Sequence, residues 1–249
     1  MALFTPKTCL LMIPRTATTW CRDAIRAARP KTSFGRMWYW ESNPKHRAYN
    51  PLGGTTDPRN QNWTGRVVFS FVRHPVTWLR SRWCLGPWDD RRGHASNPGD
   101  AAWYFDPFTD IYDADFPTFV ERYLTEKPGE IGRNFRRYTQ ECSHVGHQET
   151  AVEDLIRILT EAGEQFDEAA IRGLSPTNYS ETYPEYAAGQ AERVCDAEAD
   201  VMAEYGYTRE WSDLPVHRSQ ERVISDYLSA ETDIPQHVRD AMTSLLAKA

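Results

Sequence analysis

Cysteine is scarce in this sequence of 249 residues: five, at positions 9, 21, 84, 142 and 195, with no CxxC pair. An odd, scattered set of that kind supports neither a disulfide framework nor a zinc site, so the thiols are expected to be reduced. Long apolar runs are missing too. The longest near the N-terminus, Cys9-Leu10-Leu11-Met12-Ile13, is too short for a signal-peptide core and far too short for a bilayer, so the expectation is a cytoplasmic protein with no membrane span. Internal repeats, low-complexity tracts and linkers rich in Pro, Gly or Ser are also absent, which points to a single domain over 1–249.

What is present suits a globular chain large enough to bury its own core: 40% hydrophobic and 26% charged residues, with nine Trp. The net charge of -6 conceals a division. Residues 1–92 hold 16 Lys and Arg against 5 Asp and Glu, whereas 93–249 hold 13 against 30. A basic part of this kind fits an anionic ligand, a nucleic acid or a membrane surface. Neutralisation of one part by the other across an internal interface is the alternative, and the two can hold together.

Two segments read as buried strands that run into helices. In the first, Thr8 to Ile13 is stopped by Pro14, and residues 18–28 carry Trp20, Cys21, Ala24, Ile25 and Ala28 at helical spacing. In the second, 67–72 is β-branched and aromatic, His74-Pro75 breaks it, and 76–83 continues as a helix. Strands apolar on both faces suggest a covered parallel sheet, whose ligands bind beyond the carboxyl ends of the strands. Residues 30–66 and 85–115 look irregular. Further helices are expected at 116–125, 152–162, 187–205, 218–228 and 235–247, so 93–249 is acidic and mainly helical.

The loop Pro14-Arg15-Thr16-Ala17-Thr18-Thr19-Trp20 follows a strand and opens a helix, a geometry that aims free backbone N–H groups and a positive dipole end at an anion. Thr18 and Thr19 add hydroxyls and Arg15 adds fixed charge, although the same threonines also read as ordinary helix caps. No Gly lies in the loop, so it is not a Walker A sequence. At the second turn, Arg73 ends a strand and Ser81 follows eight residues later; a guanidinium fork and a hydroxyl there can grip a further phosphate.

Together these turns resemble the signatures of sulfotransferases that use 3'-phosphoadenosine 5'-phosphosulfate (PAPS), in particular bacterial and carbohydrate-type members. Residues 14–20 are similar to the family's Pro-Lys-x-Gly-Thr-Thr-x loop, which binds the 5'-phosphosulfate. Arg73 and Ser81 look like the pair that binds the 3'-phosphate. Looser likeness extends through 116–123, 144–149 and 178–207, and ends there. Arg15 stands where the family usually has Lys, and Ala17 where it often has Gly. An Ala would forbid some positive-φ geometries that Gly allows.

The resemblance implies a P-loop-like α/β fold: a central, mostly parallel sheet flanked by helices, with a helical C-terminal part. It implies sulfuryl transfer from PAPS to an acceptor hydroxyl or amine, without a metal. The cofactor would be held by Arg15, Thr16, Ala17, Thr18, Thr19, Trp20, Arg73 and Ser81, with Arg15 also stabilising the leaving phosphate. The base would be His46, in Pro44-Lys45-His46-Arg47, whose basic neighbours favour its neutral form; Glu41 is the rival. The acceptor would be a small molecule, glycan or lipid, with peptide tyrosine also open and no nucleic acid expected.

Other residues carry less. His74 reads as a turn residue bonded locally, and His144 and His147 lack a third ligand for a metal. Arg133, Arg136 and Arg137 form a basic island that either reaches the 3'-phosphate or makes a solvated helix face. Trp38, Tyr39, Trp40, Tyr49, Trp63, Trp88 and Trp103 can stack on adenine, line an acceptor pocket or simply pack. Two alternatives stand beside the enzyme: a nucleic-acid binder using the basic aromatic part, and a non-catalytic nucleotide-binding relative.

Overall fold

The computed structural model describes residues 2–29, 40–41, 65–84, 108, 110–175 and 183–211. Strands β1 (Ala2–Phe4) and β2 (Thr8–Leu11) form a hairpin, and α1 (Thr18–Ala28) follows. Then come β3 (Trp40–Glu41), β4 (Val67–Val72) and α2 (Pro75–Cys84). Helices α3 (Phe116–Glu126) and α4 (Glu130–Thr139) precede β5 (His144–His147), and α5 (Ala151–Glu161), α6 (Glu168–Arg172), α7 (Gln190–Ala197) and α8 (Ala199–Glu204) follow it.

The sheet order is β3-β1-β2-β4-β5. β2, β4 and β5 run parallel, with Leu10 opposite Phe69 and Val72 opposite His147, while β1 is antiparallel to both β2 and β3. The fold is therefore α/β with a mixed rather than a mostly parallel sheet, its parallel part confined to β2, β4 and β5, of which β2 and β4 carry the expected turns. β4 and α1 occupy the spans that periodicity indicates, and β2 stops two residues short of Ile13.

Alternation along the strands divides the core. Leu10, Phe69 and Phe71 point to one face and pack with Trp20, Ile25, Leu155, Ile158 and Ile171 of α1, α5 and α6. Ile13 and Val72 join Trp78, Phe119, Phe135, Val194 and Val201 on the side of α2, α3, α4, α7 and α8. Both faces of the sheet are covered, which is why its strands read as continuous apolar runs.

The expected helix 187–205 is two helices. Glu198 interrupts it and is 2% exposed. Its carboxylate accepts from the N–H groups of Ile131 (3.1 Å) and Gly132 (2.8 Å) and from the Tyr123 hydroxyl, so it caps the start of α4, whose preceding residue Gly129 offers no side chain. A Cβ on Gly132 would lie 2.9 Å from Val201 Cβ, and that close approach requires glycine here. The expected helices 218–228 and 235–247 lie outside the described residues.

Candidate anion-binding site

The carboxyl ends of β2 and β4 are adjacent because these strands pair in parallel, and the two turns leave from them. After β2 the chain passes through Arg15 at φ 67° and Ala17 at φ 62° before α1 begins. Both residues are left-handed, a conformation that costs a non-glycine residue about 1–2 kcal/mol. Ala17 thus adopts a positive φ that glycine would take without steric cost. A residue pair strained in this way marks a loop shaped by its surroundings.

Those surroundings are on α2 and at the end of β4. Trp78 donates its indole N–H to the Pro14 carbonyl at 3.0 Å, and Arg15 Nε donates to Ser81 Oγ at 2.8 Å. Arg73 reaches the Arg15 carbonyl at 3.5 Å through a terminal nitrogen and donates from Nε to Thr77 Oγ1 at 2.9 Å. The sequence pairs Ser81 with Arg73; the geometry puts Ser81 on Arg15 and Thr77 on Arg73, with all four side chains around one loop.

Helix α1 has no side-chain cap. Its first i to i−4 bond runs from Cys21 N–H to the Ala17 carbonyl at 2.9 Å, so the amides of Thr18, Thr19 and Trp20 precede the helical ladder. Of the two hydroxyls expected to face a phosphate, on Thr18 and Thr19, that of Thr18 turns inward, as does that of Thr16. Both donate inward to the Ile13 carbonyl, at 2.9 and 2.8 Å, and are buried. Thr19 is half-buried. The Trp20 ring belongs to the core and its indole donates to the Leu174 carbonyl at 3.3 Å, leaving its backbone amide at the helix start.

The electrostatics favour an anion. Arg73 is 6% exposed, and among the described residues neither it nor Arg15 forms an ion pair with a carboxylate. Burial lowers the pKa of Arg15, and the neighbouring Arg73 and Arg82 lower it further, while Tyr183 and Cys84 oppose them. Burial likewise lowers Arg73; the nearby Tyr183 hydroxyl and Glu149 oppose that fall, and Arg80 adds to it. Guanidinium groups stay protonated under such perturbation, so positive charge is concentrated in a partly desolvated place.

The basic island of α4 is elsewhere engaged. Arg133 and Arg137 pair with Glu130 and Arg136 with Glu204, which makes it an ion-paired helix face. His74 is bonded within its turn and also across the fold: Nδ1 accepts from Val76 N–H at 3.3 Å, whereas Nε2 meets the Thr208 carbonyl at 3.0 Å and the ring stands edge-on to Tyr207. His144 pairs with Glu161 and His147 with the Tyr205 carbonyl; three apart on a strand, they fall on opposite faces. Among the described residues, no group of three or more His, Cys, Asp or Glu is placed to hold a metal ion, and no helix is long and apolar enough to cross a membrane.

His46 lies outside the described residues, as do Trp38, Tyr39, Tyr49, Trp63, Trp88 and Trp103. Glu41 is placed in β3, its backbone paired with Leu3 of β1. Sequence reasoning missed Thr77, Trp78 and Tyr183. The first two stand four and five residues after Arg73, on the helix that Pro75 opens, and the i, i+4 spacing is a usable signal for Thr77; Tyr183 gives none. No family model, curated protein or solved structure matches this chain.

Proposed function

We propose that this protein is a PAPS-dependent sulfotransferase built on a P-loop-like loop between β2 and α1. One observation carries the reading: Arg15, Arg73 and Ser81, far apart in sequence, gather at the uncapped start of α1 with no carboxylate paired to either cation among the described residues. Arg15 and the loop amides of 16–20 hold the 5'-phosphosulfate, and Arg73 with Ser81 holds the 3'-phosphate, the assignment the family resemblance implies. PAPS supplies an activated sulfuryl group. In transfer, the bond from sulfur to the bridging phosphate oxygen breaks, a bond from sulfur to the acceptor oxygen or nitrogen forms, and the acceptor's proton passes to the base. Arg15 stabilises the negative charge left on the phosphate, so Arg15→Ala is expected to slow turnover by about 10²- to 10³-fold. His46 is the base and Glu41 its rival; the acceptor is a small molecule, glycan or lipid.

The test is ligand-dependent melting with 3'-phosphoadenosine 5'-phosphate (PAP), followed by transfer of labelled sulfate from PAPS. PAP is expected to raise the melting temperature, Arg73→Ala to abolish that shift, and His46→Ala to keep it while removing turnover. Absence of any PAP shift overturns the reading. Salt-sensitive oligonucleotide binding that survives Arg73→Ala would replace it with nucleic-acid binding, and PAP binding without transfer to any acceptor would reduce it to a non-catalytic relative.

A further inference from the structure

Resting on the reading of Arg73 as a 3'-phosphate ligand, we infer that Thr77 is the positioning residue that fixes the direction of the Arg73 guanidinium and so selects nucleotides carrying that phosphate. Thr77 stands in the first turn of α2 and is 1% exposed. Its hydroxyl donates to the His74 carbonyl at 3.1 Å. With its proton committed there, the oxygen presents a lone pair to Arg73 Nε at 2.9 Å. A guanidinium is planar, so fixing Nε leaves its terminal nitrogens one plane to occupy. That plane carries one of them toward the Arg15 carbonyl in the loop.

The arrangement has a directional logic. Arg73 has several rotatable bonds and would lose considerable rotamer freedom on clasping a ligand. Thr77 fixes much of that freedom in advance, so the fork is already aimed when the nucleotide arrives. Thr77 itself touches no ligand in this scheme. It acts through Arg73, and its effect is confined to the part of the ligand that Arg73 meets. The acceptor on Nε is also needed for the fold, since a buried charged donor without a partner is costly. Two substitutions separate these roles: Thr77→Val keeps the shape and removes the oxygen, whereas Thr77→Ser keeps the oxygen and removes a methyl group.

The experiment compares PAP with 5'-AMP, which lacks the 3'-phosphate, by calorimetric titration of the wild type, Thr77→Val and Thr77→Ser. Wild type is expected to prefer PAP. Thr77→Val should weaken PAP by about ten- to a hundredfold, as for a lost hydrogen bond to a charged group, and leave 5'-AMP unchanged; Thr77→Ser should restore the preference. Equal loss of both ligands, or an undiminished preference for PAP in Thr77→Val, overturns the positioning role while leaving the function standing. Failure of wild type to bind PAP overturns the function and this inference with it. Should Thr77→Val not fold, the wild type still decides: an Arg73 Nε–H proton that exchanges slowly by NMR and shifts on adding PAP but not 5'-AMP supports the assignment, and one that exchanges at the solvent rate overturns it.

Discussion

At Ala17 the conflict between residue type and backbone is plain: a methyl group sits at φ 62° where glycine would be at ease. Ala17→Gly should therefore raise the unfolding free energy by about 0.5–1 kcal/mol, because relief of the left-handed strain exceeds the extra entropy glycine brings to the unfolded chain; urea denaturation measures it. His74 gives the second expectation. Burial holds its pKa below the ordinary value near 6.5, against the pull of the Thr208 carbonyl and Glu149. Since the unfolded chain then takes up the proton more readily, this contribution is complete above about pH 6.5 and is lost as pH falls toward the folded value. Urea midpoints recorded from pH 7.5 down to 5 should decline, and His74→Asn should flatten that decline. That Arg15 and Arg73 stand close together was legible, because each follows the end of a strand expected in one parallel sheet. The bond between Arg15 and Ser81 was not, because which donor meets which acceptor depends on side-chain directions that only packing decides.

Elements were legible where one force dominates. α1 and β4 have their apolar pattern and their breakers in agreement, Pro14 and Pro30 around the helix and His74-Pro75 after the strand. β1 is three residues long and β5 is His-Val-Gly-His, too short and too polar for periodicity to speak. The merged helix 187–205 failed for a different reason. Its apolar spacing continues through Glu198, and what divides it is a long-range demand: three donors at the start of α4 and on Tyr123 need one acceptor. Burial pushes the Glu198 pKa up while those donors pull it down. Glu198→Ala should cost about 2–4 kcal/mol by stranding these buried groups, read as a drop in thermal midpoint. Glu198→Gln should recover part of it, because the amide oxygen still accepts.

At the scale of the whole fold, the acidic part neutralises its own cations: Arg122, Arg157, Arg172 and Arg193 pair with its carboxylates, whereas among the described residues Arg15 and Arg73 pair with no carboxylate and lie side by side, the Arg73 guanidinium reaching the Arg15 carbonyl. Like charges gathered so closely attract a multiply charged anion from a distance. The melting shift produced by PAP should shrink steadily as salt rises from about 0.05 to about 0.5 M, because screening shortens from about 14 Å to about 4 Å over that range. A shift indifferent to salt would place the nucleotide away from these arginines.

The two rims of the sheet are chemically separate. At the rim where β2 begins, Glu164 clasps the hairpin turn through the Thr5 hydroxyl and the Lys7 amide, and Lys7 reaches the Gly163 carbonyl. The arginines stand at the other rim, where β2 and β4 end. A cross-link or a stabilising replacement around Glu164 is thus free to harden the scaffold without disturbing the arginine loop, and α2 can be varied on its Arg73-facing side without loosening the clasp.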